Sequence, residues 1–191
     1  MEFYIQDYLN KQQETLSKIP FGQVAEIIEK FREALKNDQQ IFIIGNGGSA
    51  SNASHFVTDL GKSSSDKTYR RFRCLSLNDN VSWITAIGND YSYDEVFSRQ
   101  LENYGRKGDI LFSLSVSGNS PNLVKALEKS KELEMFSISL VGGKLGFLGK
   151  ESDLAIVIDD VHYGRVEDAQ MGICHVICYA FIENEVLQTE S

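Results

Sequence analysis

The sequence predicts an α/β fold in which a five-stranded parallel sheet is covered by helices on both faces. Five short apolar runs are spaced along the chain, helical segments lie between them, and turns rich in glycine or serine follow several of them. Strands that alternate with helices form parallel sheets with right-handed crossovers, and ligands bind beyond the carboxyl ends of the strands. The predicted strands are residues 41–44, 73–77, 109–115, 136–141 and 154–158.

Composition and charge narrow the class of protein. A chain of 191 residues is long enough for one well-buried domain, so we predict a single domain over residues 1–191. The formal net charge of −8 argues against broad nucleic-acid binding, which needs a basic face. No apolar run approaches the ~20 residues that span a bilayer, and the polar N-terminus lacks a signal-peptide core. We therefore expect a cytoplasmic protein whose partners include neither nucleic acid nor a membrane.

Two amphipathic helices are predicted before the first strand, in a helical extension over residues 1–38. The first covers about residues 3–18, Pro20 interrupts the pattern, and the second ends near residue 37. Such helices pack either on the chain's own core or against another subunit, and the sequence leaves both open. Their apolar positions recur at helical spacing: Tyr4, Ile5, Tyr8 and Leu9 in the first, and Val24, Ile27, Ile28, Phe31 and Leu35 in the second.

Three polar loops are predicted at the carboxyl edge of the sheet, at residues 45–49, 88–90 and 115–120. The second is expected as a turn between two short helices, and the third leads into a helix that begins with Pro121. A last long helix is predicted over about residues 165–187. Because the carboxyl ends of parallel strands share one edge, these loops are the expected position of a ligand.

The glycine turn consists of Gly45, Asn46, Gly47, Gly48 and Ser49, between the first strand and a helix. Glycines let the backbone approach closely, and the free N–H groups at a helix start attract negative charge. No lysine follows the glycines and the G-x-G-x-x-G spacing is absent, so the turn matches neither of two common phosphate-binding motifs. It predicts a ligand at a strand–helix junction, with a tight structural turn as the alternative.

The serine loop, residues 115–120, brings Ser115, Ser117 and Ser120 together, with Val116 between the first two. Neutral hydroxyls and backbone amides bind phosphate without any lysine or arginine. The alternative is an ordinary helix cap made by Ser120, with incidental serines around it. Because a cap needs one hydroxyl and this loop has three, we predict the phosphate site here rather than at the glycine turn.

Four motifs occur in order along the chain: GNGGS with HF six residues on, AIGND, SVSGNSPN and RVEDAQMGICH. Together they resemble the sugar isomerase (SIS) fold and, more narrowly, its phosphoheptose isomerase branch. The resemblance implies a flavodoxin-like three-layer sandwich and a homotetramer with composite active sites, with the N-terminal helices at the oligomer interface. It also implies conversion of sedoheptulose 7-phosphate to D-glycero-D-manno-heptose 7-phosphate, for the bacterial surface heptose of lipopolysaccharide or capsule.

The resemblance assigns roles to individual residues. A zinc site with one divalent ion would consist of His55, Asp59, Glu167 and His175. Two positions depart from the branch, since Asp59 stands where it usually carries Glu, and Glu167 where it usually carries Gln. The added carboxylate is a better ligand for a divalent cation than an amide. The implied substrate-binding residues are Asn46, Gly47, Gly48, Ser49, Asn89, Asp90, Ser115, Val116, Ser117, Ser120 and Glu167.

The chemistry of such a reaction also points to these residues. Interconversion of an aldose and a ketose needs a base for carbon, an acid for oxygen and a group that stabilises the developing oxyanion. His55 and Asp59 are four residues apart, so they share one helix face. We assign the proton transfers to Asp59 and His175, with either or both also binding metal. A metal-free pair that acts directly is the alternative, and each histidine alone is also explained as a surface or core residue.

The spacing of Glu167 and His175 raises a geometric problem. Eight residues on one continuous helix separate two positions by roughly 12 Å along the axis, which is a long reach for ligands of one ion. Either the last helix begins after Glu167, or the two residues come from different subunits. We favour the composite site, which also explains the apolar N-terminal helices as an interface.

Two other functions stay open. Some relatives with this fold are non-catalytic binding proteins, including a tetrameric factor that binds the bacterial replication initiator, and they lack the acid–base residues. The joint presence of His55, Asp59 and His175 favours the enzyme. The other possibility is an isomerase or sensor for a different phosphosugar, which the two carboxylate replacements keep open.

Overall fold

The fold is a five-stranded parallel sheet with helices on both faces, as the sequence predicts. The computed structural model describes residues 1–189, so the last two residues of the predicted domain lie outside it. Every strand pair is parallel and the strand order is β2-β1-β3-β4-β5, the flavodoxin-like order. The strands are β1 Gln40–Gly45, β2 Arg73–Ser76, β3 Ile110–Ser115, β4 Phe136–Gly142 and β5 Leu154–Ile158.

The strand order determines where the ligand site lies. The chain leaves β1 toward the edge strand β2 and later returns to β3 on the other side of β1. Loops that leave two adjacent strands in opposite directions open a crevice between them, and in sheets of this kind that crevice binds ligands. The glycine turn follows β1 and the serine loop follows β3, so both line this crevice.

The central strand β1 carries a continuous apolar run because both of its faces are covered. Ile41 and Ile43 of β1 face one hydrophobic core, while Phe42 and Ile44 face a second core on the opposite side of the sheet. All four side chains are fully buried. This explains why an uninterrupted apolar run, rather than an alternating one, marks a strand of this sheet.

Nine α-helices surround the sheet within the described residues. They are α1 Glu2–Ser17, α2 Phe21–Lys36, α3 Gly48–Thr58, α4 Val81–Asp90, α5 Ser98–Tyr104, α6 Pro121–Glu132, α7 Gly146–Glu151, α8 Tyr163–Glu183 and α9 Glu185–Gln188. A π-helical turn, Asp59–Ser64, continues α3, and a 3₁₀ turn covers Tyr93–Glu95. None of the helices in this part of the chain is both long and apolar enough to cross a membrane.

Two local predictions are wrong. Residues 88–90 are not a turn but the last residues of α4, because nothing at Gly88 requires a turn. A Cβ at Gly88 would meet no atom within 4 Å, and its φ is not in the left-handed region. The last helix begins at Tyr163 rather than near residue 165 and ends at Glu183, and α9 follows it.

The two N-terminal helices are buried to different extents. Helix α2 packs on the core through residues that include Ile27 and Phe31, both fully buried. Helix α1 leaves its apolar face uncovered in the single chain, with Phe3 86% and Leu9 56% exposed. The chain's own core therefore explains the pattern of α2, while the pattern of α1 has no explanation within one chain.

A partly buried ion pair between Asp160 and Arg165 fixes the beginning of α8. The Asp160 carboxylate accepts hydrogen bonds from the Arg165 guanidinium (Nη2, 2.9 Å) and from the Thr15 hydroxyl of α1 (2.7 Å). The guanidinium, together with the His162 N–H and the Thr15 hydroxyl, holds the Asp160 pKa well below its usual range. His162 precedes the helix as its N-cap and accepts from the Arg165 N–H. These contacts fix the start of α8 at Tyr163, one turn before Glu167.

The glycine at the end of β1 is required by packing. A Cβ at Gly45 would lie 2.6 Å from the backbone of Ser49, whereas a Cβ at Gly22 in α2 would meet nothing within 4 Å. We expect Gly45→Ala to lower the free energy of unfolding by about 2–3 kcal/mol through overpacking. Gly22→Ala should leave it unchanged or raise it by up to about 1 kcal/mol. Urea denaturation measures the free energy of unfolding of each variant. Equal values for the two variants would contradict the packing role of Gly45.

The Asp160 ion pair predicts a pH-dependent stability. Because folding lowers the Asp160 pKa, the pair stabilises the protein above the unfolded pKa of about 4, and this contribution is lost as the pH falls further. At pH 7, Asp160→Asn should cost about 2 kcal/mol, and the difference from the wild type should shrink below about pH 4. Asp159→Asn is the matched control, since Asp159 is 72% exposed and paired only at the surface with Lys18. If the wild type and Asp160→Asn differed in free energy of unfolding by the same amount at pH 7 and pH 3, the Asp160 ion pair would not be the source of a pH-dependent stability.

Candidate active site

The glycine turn brings α3 and α8 close together. Gly47 has a φ of 57°, which favours glycine, and α3 begins at the next residue. A Cβ at Gly48 would lie 2.4 Å from the carboxyl group of Glu167 on α8. The turn is therefore a tight structural turn, and its tightness is what brings Glu167 of α8 against the loop after β1.

The serine loop presents two hydroxyls that support its backbone and a third that does not. Ser115 Oγ accepts from the Gly118 N–H (3.0 Å), and Ser117 Oγ accepts from the Asn119 N–H (3.2 Å). Ser120 precedes α6 as its N-cap residue, but its hydroxyl makes no capping hydrogen bond. The alternative that Ser120 is an ordinary side-chain cap is therefore wrong. Its hydroxyl stays available at this edge, whereas Pro121 has no N–H and the Leu123 and Val124 N–H groups already donate to the Ser120 carbonyl.

A cavity of about 70 Å³ lies between the two loops and α8. A water molecule takes ~30 Å³ in the liquid, so the cavity has room for a phosphate-sized group. Its lining combines the glycine turn, the serine loop and the beginning of α8: Asn46, Ser49, Leu114, Ser115, Val116, Ser117, Ser120, Leu123, Tyr163 and Glu167. No lysine or arginine is among these residues, so any anion bound here is held by hydroxyls, amides and helix N-termini.

Side-chain amides tie the glycine turn to its surroundings. Asn46 and Asn122 donate to each other (2.8 and 2.9 Å), and the Tyr93 hydroxyl also donates to Asn46 Oδ1 (3.2 Å). The Ser49 hydroxyl donates to Gln170 Oε1 (3.0 Å), and Gln170 Nε2 donates to a β4 carbonyl. Asn122 and Gln170 are almost completely buried. Two cavity-lining side chains are thus held by residues that do not themselves line the cavity.

Three of the four predicted metal ligands meet on the outer side of α3 and α8. Asp59 Oδ2 lies 3.3 Å from His55 Nε2 and 3.6 Å from His175 Nε2. The two imidazole rings meet edge to face with 5.2 Å between centroids. One ligand atom from each residue lies within 4.8 Å of the others. We call these three residues the His–Asp trio.

The donor set of the trio fits a divalent metal ion. Two imidazoles and one carboxylate leave a fourth position open, which is the arrangement of catalytic zinc sites. Asp59 begins the π-helical turn after α3, and such turns occur frequently at functional sites. All three side chains are partly exposed, so a substrate can reach them.

Glu167 is not part of the trio within the chain that the structure describes. It lies on α8 together with His175, so of the two alternatives the one in which this helix begins after Glu167 is wrong. Its carboxylate packs against Gly48 and lines the cavity, two helical turns from His175. The reason is geometric, because the rise of a continuous helix separates the two positions by roughly 12 Å.

Asn89 and Asp90 also lie apart from the cavity lining. They occupy the exposed C-terminal end of α4, where Asn89 Nδ2 donates to Asp90 Oδ1 (2.9 Å). The residue that reaches the glycine turn from this segment is Tyr93.

Sequence reasoning missed Asn122, Tyr93, Gln170 and Tyr163. Asn122 and Gln170 lie inside the motifs SVSGNSPN and RVEDAQMGICH, and Tyr93 and Tyr163 lie within three residues of a motif, which is the one signal in the sequence that marks them. Their partners come from distant parts of the chain, as in the pair of Asn46 with Asn122. Spacing along the sequence cannot identify such pairs.

The comparisons with known proteins agree with this geometry. A family profile described as the SIS domain matches residues 5–142. The chain belongs to this family. A phosphoheptose isomerase of Helicobacter pylori is 42% identical over 147 residues, or 76% of each chain. One of Sulfurimonas denitrificans is 36% identical over 194 aligned positions, which cover 97% of each chain.

Solved structures of this SIS family branch share the fold over nearly the whole chain. The phosphoheptose isomerase of Neisseria gonorrhoeae is 28% identical with a TM-score of 0.87, covering 94% of this chain and 97% of its own. That of Francisella tularensis is 26% identical with a TM-score of 0.86, covering 96% of both chains. Membership in the phosphoheptose isomerase branch and the fold predicted from it are confirmed.

The trio predicts one divalent-ion site per chain. We expect His175→Ala to weaken zinc binding by more than about 100-fold, since even the loss of an outer-shell partner costs 10–100-fold. His162→Ala is the matched control, because His162 is the third histidine of the chain and lies outside the trio, at the N-cap of α8. Competition with a chromophoric chelator measures both affinities. Zinc affinity of His175→Ala equal to that of the wild type would rule out the site.

Proposed function

We propose that this SIS protein isomerises sedoheptulose 7-phosphate to D-glycero-D-manno-heptose 7-phosphate. The observation that carries the proposal is the presence of two separate functional regions along α8. A phosphate-sized cavity lies at Glu167 and the His–Asp trio lies at His175, roughly 12 Å further along the helix. The reacting C1 and C2 of this substrate lie at the opposite end of a seven-carbon chain from its phosphate, so one extended molecule can occupy both regions. The relatives named phosphoheptose isomerase support the same reaction.

The phosphate group would bind in the neutral cavity. Hydroxyls of the serine loop are donors from which a phosphate oxygen can accept. Helix α6 has 12 residues, so its N-terminus also carries the positive end of a helix dipole. With a net charge of −8 the whole protein does not attract anions, so this local site must supply the affinity.

The proton transfers would be made by Asp59 and His175. One group removes a proton from C1 of the ketose to form an enediol and returns it to C2, while the other moves the proton between the two oxygens. Their side chains are adjacent, with Asp59 Oδ2 at 3.6 Å from His175 Nε2, so both can contact neighbouring substrate atoms. The first carbon of the product then carries the aldehyde, and no proton is gained or lost overall.

Zinc is the metal we propose for the His–Asp trio. His55, Asp59 and His175 would hold it, with Glu167 of a neighbouring subunit as a further ligand. The bound ion would polarise the substrate oxygen as a Lewis acid. If the pair acts without metal, His55 instead orients Asp59, whose carboxylate it approaches to 3.3 Å.

We also propose a cytoplasmic homotetramer with composite active sites, serving the synthesis of surface heptose in lipopolysaccharide or capsule. The uncovered face of α1 supports an interface, since Phe3 is 86% exposed. An apolar groove of about 440 Å³ between α1, α2 and α8 continues this face, with Leu16, Phe21 and Val176 in its lining. Val176 follows His175 directly, so a subunit seated in this groove would reach the trio.

Incubation with sedoheptulose 7-phosphate tests the proposed reaction. The wild-type protein should form the aldose phosphate, detected by NMR of the sugar, and a chelator should suppress the reaction if metal takes part. His175→Ala and Asp59→Asn should each lower kcat by at least about 100-fold, the usual effect of removing a general acid or base. His162→Ala should retain the wild-type kcat.

The runner-up function is a non-catalytic SIS protein that binds a phosphosugar or the replication initiator. Wild-type protein that binds sedoheptulose 7-phosphate without converting it would favour this function over the isomerase. Near-normal turnover by His175→Ala would retain the isomerase but remove His175 from the mechanism.

A further inference from the structure

A buried asparagine lies directly behind the cavity-lining Asn46. Asn122 is the second residue of α6 and is 2% exposed, and it does not line the cavity. Its amide forms two hydrogen bonds with the amide of Asn46, one in each direction. The pair joins the turn after β1 to the helix after β3, which are the two sides of the ligand crevice.

The backbone determines the orientation of this amide pair. The Leu123 N–H donates to Asn122 Oδ1 (3.0 Å) and also to the Ser120 carbonyl oxygen (3.0 Å). Because an N–H can only donate, the atom of Asn122 at this position is the oxygen. The same oxygen accepts from Asn46 Nδ2, so Asn46 must present its nitrogen there and its oxygen to Asn122 Nδ2. If the Asn46 amide were flipped, its oxygen would face Asn122 Oδ1 and its nitrogen would face Asn122 Nδ2. Neither of the two hydrogen bonds could then form.

Tyr93 reinforces this orientation from the other side. Its hydroxyl donates to Asn46 Oδ1 at 3.2 Å, so both lone pairs of that oxygen are occupied. One hydrogen of Asn46 Nδ2 goes to Asn122, and the other has no acceptor among the described hydrogen bonds. Asn46 therefore offers the cavity a donor and no acceptor, which suits an anionic oxygen and disfavours a hydroxyl hydrogen.

We propose that Asn122 and Tyr93 are positioning residues that orient Asn46 as a hydrogen-bond donor to the phosphorylated end of the substrate. The inference rests on the proposed function for its substrate. It goes beyond that function because neither residue touches the ligand and each acts through Asn46. Asn46 shares its cavity with the serine loop and lies away from the His–Asp trio, so its loss should weaken binding of substrate and transition state equally.

Steady-state kinetics with sedoheptulose 7-phosphate test the inference. Asn122→Leu replaces the amide with an apolar side chain of similar volume. It should raise KM about tenfold, because the substrate loses one well-placed hydrogen bond to a charged group, and it should leave kcat nearly unchanged. Tyr93→Phe changes an exposed side chain and should have little effect on folding. It should raise KM by only about twofold to threefold, because the hydrogen bonds between Asn46 and Asn122 remain. In an Asn46→Ala background neither change should raise KM further.

Gln100→Leu is the matched control for the loss of a buried amide. Gln100 is also 2% exposed, and its amide donates to the backbone carbonyls of Leu77 and Val96, away from the cavity. This variant should lose stability and keep the wild-type KM. An unchanged KM in both Asn122→Leu and Tyr93→Phe would overturn the inference, and so would a further rise in KM when either is added to Asn46→Ala.

A second measurement separates this inference from the proposed function. Calorimetry with inorganic phosphate should show weaker binding in Asn122→Leu than in the wild type and in Gln100→Leu. If the wild-type protein does not convert sedoheptulose 7-phosphate, the proposed function fails and phosphate binding alone decides the inference. Equal phosphate affinity in Asn122→Leu and the wild type would then overturn it.

Discussion

The close packing of α3 on α8 is the constraint on which the rest of the site depends. It requires a residue without a side chain at Gly48, where a Cβ would lie 2.4 Å from the carboxyl group of Glu167. The same approach allows Ser49 to bond Gln170 one turn further along α8. Because the two helices then run side by side, His55 and Asp59 lie next to His175, which is two turns beyond Glu167 on α8. A glycine turn that resembles a phosphate loop thus acts mainly as a packing device that assembles the His–Asp trio.

The cavity that we propose for the phosphate and the trio that we propose for the proton transfers are distinct and differ in their electrostatics. The cavity at the serine loop has no cationic side chain in its lining, whereas the trio combines a carboxylate with two imidazoles. Neutral donors hold a phosphate without a strong charge that would also perturb the acid–base groups. The flavodoxin-like strand order explains the position of the cavity, since the turn after β1 and the loop after β3 line one crevice.

Local errors in the sequence prediction have identifiable physical causes. Gly88 suggested a turn, yet a glycine in a helix costs only ~1 kcal/mol relative to alanine, and α4 continues through it. The start of α8 was placed two residues late because the contacts that fix it involve Thr15 of α1, far away in the sequence. Helix α7 was not predicted, since six residues are too few for a periodic pattern to be recognised.

The α/β class, the five strands, the family and the candidate residues of the trio and the serine loop can all be predicted from the sequence. Apolar runs, turn residues and motif spacing are local properties, so they can be recognised before the fold is known. The position of Glu167 at the cavity and not with His175 became clear only from the folded structure, as did the contacts by which Asn122, Tyr93 and Gln170 hold the glycine turn. The physical reason is that these contacts join residues 47 to 121 positions apart, and their distances follow from how helices and strands pack.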